Sequence, residues 1–192
     1  KYLIHSYKET NYNLIKSISK KLKFPVVIKP INEGSSVNVY ICNKSNLRNK
    51  LKKLRIYKEI LIEEFIAGRE IQAAILGNKK LGAIELKPKR KFYDYEAKYN
   101  SKAKTKHIIP VDLTKKKFNE LMNISLKVHN LLGCQGVTRS DFKYYKNRFY
   151  LLETNTQPGM TKLSLVPEIC IHKGINFIKL IKLLLDDAST NK

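Results

Sequence analysis

Asp141, Glu153 and Asn155 are the residues whose types and spacing most directly imply chemistry. They lie in the stretch from Val137 to Ser164. Gly136 to Phe142 and Arg148 to Glu153 read as two β-segments joined by a polar turn near Lys146-Asn147. If these segments pair around that turn, Asp141 faces Glu153. Asn155, two residues further on, projects to the same face, because side chains alternate along a strand. Two carboxylates and an amide oxygen on paired strands are hard ligands, of the kind that hold magnesium beside nucleotide phosphates. Arg139 precedes Asp141 by two and shares its face. A guanidinium there suits the negative charge that develops in phosphoryl or acyl transfer. A loop containing Gly159 then brings back Ser164. A core sheet face does not carry Arg, Asp, Glu and Asn without a purpose, since unpaired buried charge is costly.

Two weaker constellations precede it. Lys29 ends a β-branched run and is followed by Glu33-Gly34-Ser35-Ser36. A lysine next to a turn whose N–H groups form a nest can hold a phosphate. The order GxxxxGK[ST] is absent, so this is not a Walker loop. Taken alone, the segment reads better as a surface lysine ahead of a hairpin turn. Glu63 and Glu70 flank one turn and could reach the two ends of a nucleoside; by themselves they read as solvated strand-end charges. His5, His107, His129 and His172 have no ligand spacing and read as surface or helix-face residues. Neither GxSxG nor HExxH occurs.

The elements that must position these groups follow from periodicity. Ile15, Ile18 and Leu22 predict a short amphipathic helix in an otherwise polar start. Phe24–Pro30 predicts a buried strand stopped by Pro30, and Val37–Cys42 its hairpin return. Leu47, Leu51 and Leu54 predict a helix with Ser45 as N-cap. Strands are expected at Glu59–Phe65, Glu70–Leu76 and Leu81–Glu85. Residues 87–106 are too aromatic for a linker and too irregular for a strand, which suits a lid. Phe118, Leu121, Met122, Val128 and Leu132 predict the longest core helix, interrupted at Ser125, with Thr114 as N-cap and Gly133 just past its end. A last helix, Ile175–Leu185, is expected to bury Ile178, Ile181 and Leu185. Helices, hairpins and an antiparallel meander make an α+β pattern.

Composition sets the outer bounds. The 192 residues suffice for one large domain or two small lobes. A formal net charge of +22 points to a phosphate-bearing partner, or simply to a lysine-rich surface. The basic residues are dispersed, and no run is interleaved with aromatics as in nucleic-acid modules, which favours the surface reading. Cys42, Cys134 and Cys170 are odd in number and far apart, implying reduced thiols and a cytoplasmic location. No apolar stretch is long enough to span a membrane.

With these residues assembled, the chain resembles the ATP-grasp part of the D-alanine–D-alanine ligases from about Phe24 to Ala188. The segments that carry the likeness occur in the family's order. They are Val27-Ile28-Lys29-Pro30 with Glu33–Val37, Leu61–Phe65 with Gly68-Arg69-Glu70, Phe92–Tyr99, Gly136–Asp141, and Glu153–Thr161 with Ser164. The resemblance implies two α+β lobes, with the nucleotide bound between antiparallel sheets. They would run over 1–64 and 65–192. It implies that ATP phosphorylates one D-alanine and that the amine of a second attacks the acyl phosphate, in peptidoglycan precursor synthesis. ATP would meet Lys29, Glu63, the backbone of Phe65 and Ile66, Glu70, Lys98 and Leu152. Two magnesium (or manganese) ions would sit on Asp141, Glu153 and Asn155. Arg139 and the Gly159 N–H would hold the oxyanion. Ser164, Lys98 and Tyr93 would hold substrate. Ser35 and Tyr99 would bond each other and close the lid against water.

Two departures stand out. The family's Gly-Ser-Ser-Val-Gly ends here in Asn38, which tolerates positive φ better than most residues. The family also has an N-terminal domain of about a hundred residues, a common domain size. It supplies much of the first D-alanine site and part of a homodimer contact, so the chain reads as a C-terminal part with impaired activity. Two other functions compete: a different ATP-grasp carboxylate–amine ligase, or a non-enzymatic basic protein that binds nucleic acid or anionic surfaces. The D-alanine reading expects neither a specific nucleic acid nor a membrane as partner.

Overall fold

A computed structural model describes residues 1–7, 14–34, 36–88, 105–161 and 164–188. The expected contacts of Ser35, Tyr93, Lys98 and Tyr99, and residues 89–104 of the expected lid, lie outside the described residues. Contacts divide the chain into two compact units, one built on Lys1–Ile66 and one on Ala67–Lys87 with Thr105–Lys192.

The first unit contains β1 (Tyr2–Ser6), α1 (Leu14–Lys21), β2 (Val26–Pro30), β3 (Tyr40–Cys42), α2 (Leu47–Lys53), a 3-10 turn (Leu54–Ile56) and β4 (Glu59–Glu64). Its antiparallel sheet runs β1-β4-β2-β3. Strand alternation sorts the two faces. Val26, Ile28, Ile60 and Ile62 pack with Ile18 and Leu22 near the first helix and with Leu47, Leu51 and Leu54 from the second. Val27, Lys29, Leu61 and Glu63 occupy the other face. Asn38 adopts φ 55. Its Nδ2 donates to the Tyr57 hydroxyl and its Oδ1 accepts from Tyr40, so side-chain bonds support the backbone where the family has glycine. Two expectations need correction here. A strand precedes α1, and His5 on it is buried against Tyr7 rather than exposed. The residue before α2 is Asn46, not Ser45, and it makes no side-chain cap. Its Oδ1 accepts from the Asn43 N–H instead.

The second unit contains β5 (Arg69–Leu76), β6 (Lys79–Lys87), β7 (Lys106–Ile108), α3 (Lys115–Leu131), β8 (Val137–Tyr145), β9 (Arg148–Asn155), α4 (Leu165–His172) and α5 (Phe177–Asp187). The antiparallel order is β7-β6-β5-β8-β9. Ile71, Ala73, Ile75, Ala83 and Phe142 pack with Leu121 and Met122 of α3. Thr114 caps that helix by accepting from the Lys117 N–H, and Gly133 follows it at φ 61. The buried stripe of α3 is Leu121, Met122, Ser125 and His129, whereas Leu132 is exposed. Ser125 fits because its hydroxyl donates to the Leu121 carbonyl. The last helix is also rotated from its expected phase: Leu180 is fully buried, while Ile178 is 80% and Leu185 68% exposed.

The hairpin β8–β9 turns on Lys146 and Asn147, both at positive φ (46° and 61°). A two-residue turn of this kind matches the twist of its strands and fixes their register. A second constraint is Gly68, at φ +114°, where a Cβ would lie 2.4 Å from the Tyr144 carbonyl oxygen. Only glycine lets β5 begin this close to β8.

Candidate functional site

The register of the second sheet assembles a polar face. Glu70 pairs with Lys143, Gln72 with Asp141, and Ala74 with Arg139 across β5 and β8. Asp141 pairs with Glu153, and Arg139 with Asn155, across β8 and β9. Directly opposed residues of an antiparallel pair share a face, so Arg139, Asp141, Lys143, Glu153, Asn155, Glu70 and Gln72 point the same way. The register shifts between Asp141 and Phe142, which pairs with Leu151. Leu152 is therefore the extra residue of a bulge next to Asp141, a distortion that re-aims side chains beside active sites.

Four of the charges on this face form two pairs. Arg139 grips Asp141 with Nε to Oδ1 at 2.7 Å and Nη2 to Oδ2 at 2.9 Å. Lys143 Nζ lies 2.8 Å from Glu70 Oε2. Gln72 Nε2 donates to the other oxygen, Glu70 Oε1, at 3.3 Å. Asp141 is 6% exposed and Gln72 1%. Neither Lys143 nor Gln72 was among the residues expected from sequence. Lys143 had a signal, since it continues the Arg139, Asp141 alternation.

Among the described residues no three His, Cys, Asp or Glu side chains converge. A metal here would need the mixed set of Asp141, Glu153 and Asn155. One observation tests that fit: Asn155 Nδ2 is buried without a hydrogen-bond partner. The two ends of an amide are assigned from their partners. Turned over, the same side chain presents an unpartnered carbonyl oxygen on the face shared with both carboxylates. The donor set is entirely hard oxygen and fits magnesium or manganese.

Gly159 and Ser164 come together at the end of the following loop. A Cβ on Gly159 would lie 2.9 Å from Ser164 Oγ. Ser164 Oγ accepts from the Thr161 N–H at 2.9 Å and lies 2.9 Å from Thr161 Oγ1. Ser164 precedes α4, where its hydroxyl closes the loop without capping the helix. Within the first unit, Lys29 Nζ lies 2.7 Å from Glu63 Oε1. The Phe65 N–H donates to the Pro25 carbonyl and so continues the β4–β2 pairing, with Ile66 directly after it.

Other reactive groups are accounted for structurally. Burial pushes the Cys42 and Cys170 thiols up to about 11, so both are protonated at neutral pH. His107 Nδ1 lies 2.6 Å from Glu168 Oε2, tying β7 to α4. His129 Nδ1 lies 2.9 Å from Thr138 Oγ1 in the interior.

Comparison with known proteins gives this arrangement a context. The profile described as D-ala D-ala ligase C-terminus matches residues 2–186. The chain belongs to that family. The D-alanine--D-alanine ligase of Pelagibacter ubique is 66% identical over 192 residues, covering 100% of this chain and 63% of its own. The D-alanine--D-alanine ligase of Bacillus anthracis superposes with a TM-score of 0.83 at 30% identity, covering 97% of this chain and 60% of its own. Its complex with ATP gives a TM-score of 0.79 at 25% identity. The chain thus spans less than two thirds of the length of these relatives, and its two α+β units have the ATP-grasp fold.

Proposed function

We propose that this chain is the ATP-binding part of a ligase that joins two D-alanines through an acyl phosphate. The observation that carries the reading is the shared face of Arg139, Asp141, Glu153 and Asn155, with Gly159 and Ser164 adjoining each other beyond β9. Membership of the family supports reading that face as one that serves the ligase reaction.

Asp141, Glu153 and Asn155 would hold the metal. Magnesium supplies positive charge that neutralises the phosphates during transfer. Lys29 would meet the phosphates, and the Phe65 carbonyl with the Ile66 backbone the adenine edge, since the Phe65 N–H already serves the sheet. Glu63 would add an adenine contact and Glu70 a ribose contact. Leu152, placed by the bulge, would pack against the nucleotide. Lys98 would reach the transferred phosphate, and Tyr93 would contribute to the substrate site. Ser35 and Tyr99 would bond each other over it.

Arg139 is anchored through Asp141 in one orientation. That anchoring costs no rearrangement when an oxyanion forms as the second amine attacks the acyl carbon, the condition under which a fixed cation is most effective. The Gly159 N–H would hold the same oxygen. Ser164 would take the carboxylate of the second D-alanine, and its contact with Thr161 sets the position of its hydroxyl.

A chimera tests the reading. This chain replaces the matching stretch of the Pelagibacter relative, and phosphate release from ATP is followed. Release that requires D-alanine and yields the dipeptide is expected. Release indifferent to D-alanine, or driven by another carboxylate–amine pair, would turn the assignment to a different ATP-grasp ligase.

A further inference from the structure

Glu70 sits on a partly apolar stretch of the sheet. Its register partner on β6 is Leu86, and Gln72 faces Ile84; both apolar residues are buried. A carboxylate there would be desolvated without compensation unless another group met it. Lys143 meets it from β8, directly opposite, at 2.8 Å, with side-chain exposures of 15% and 12%. Gln72 meets the other oxygen. Each carboxylate oxygen is thus held by one donor, one from β8 and one from β5. An ionised carboxylate has about four acceptor positions, so roughly two remain. A ribose diol donates two hydrogen bonds.

We propose that Lys143 is a positioning residue for nucleotide selection: it fixes the Glu70 carboxylate so that its remaining lone pairs accept the ribose hydroxyls. This rests on the nucleotide reading above and adds to it the group that makes Glu70 competent. Gln72 supports from its place two residues along β5, since it is buried and its Nε2 is already committed to Glu70. Lys143 acts through Glu70 and not on the phosphates, so its loss removes discrimination between sugars rather than affinity for triphosphate in general.

The test compares ATP with 2′,3′-dideoxy-ATP, each with magnesium, by titration calorimetry on the unaltered chain, Lys143→Met and Lys143→Arg. The unaltered chain is expected to favour ATP by about tenfold, the scale of hydrogen bonds to a charged acceptor. Lys143→Met, similar in length and uncharged, brings the ratio close to one while dideoxy-ATP binding changes little. Lys143→Arg restores most of the ratio. A Lys143→Met chain that keeps the preference, or loses affinity for both nucleotides equally, overturns the proposal. So does an unaltered chain that binds both alike. No ATP binding by the unaltered chain removes the nucleotide reading itself, which separates the two failures. Melting curves show whether the Met chain is folded; if it is not, the Arg chain decides, because an Arg chain without the preference overturns the proposal.

Discussion

Asp141 carries two assignments at once, partner of Arg139 and candidate metal ligand, and the bidentate contact explains how both charges tolerate a face that is largely buried. Single residues elsewhere set limits of the same kind. At Gly68 the positive φ and the approach of the Tyr144 carbonyl act together. Gly68→Ala is expected to cost at least ~2 kcal/mol, from the left-handed backbone plus the contact. Urea denaturation measures it, and a loss under ~0.5 kcal/mol would show that β5 can start elsewhere. His129 makes a pH prediction. Burial lowers its pKa from the ordinary histidine value, against smaller opposing effects of Asp187 and the Cys134 backbone. The unfolded chain then binds the proton more readily. Stability is full above pH ~6.5 and declines as pH falls towards the folded-state pKa, by up to about 1.4 kcal/mol per unit. In His129→Gln that part of the slope should vanish; parallel pH profiles for the two chains would contradict it.

Among elements, the strands were more legible than the helices. Period two leaves one choice of face, so Arg139, Asp141, Glu153 and Asn155 could be aligned from spacing once β8 and β9 were paired. The partnership of Glu70 with Lys143 could not, because it joins strands far apart in the chain and local pattern is silent about it. α5 shows a different failure. Seven of its 11 residues are apolar, so more than one stripe satisfies helical periodicity. Packing selects the one through Leu180, and Asp187 fixes the end by accepting from the Gly136 N–H at 2.7 Å. Leu180→Ala should therefore cost ~2–5 kcal/mol, and Ile178→Ala within ~0.5 kcal/mol of nothing. Thermal melts of both variants check this; a larger loss at Ile178 would mean the helix sits in the other phase. β1 escaped the sequence reading because its pattern is inverted, with Tyr2 and Ile4 exposed and His5 buried.

On the scale of the whole molecule, two antiparallel sheets each bury one face under helices and carry charged residues among apolar ones on the other. No helix among the described residues is long and apolar enough to cross a membrane. The net charge of +22 suits a phosphate ligand in sign but exceeds what one nucleotide requires. Most of it is dispersed surface charge, and composition therefore said little about the site. The account as a whole depends on one property, a nucleotide held through a metal on Glu153 and its neighbours. Titration calorimetry of ATP into the chain, with magnesium and with EDTA, tests it when repeated on Glu153→Gln. Binding at millimolar ATP that needs magnesium in the unaltered chain, and loses its magnesium dependence in Glu153→Gln, is the expected result. Equal magnesium-dependent binding by both chains would contradict the assignment.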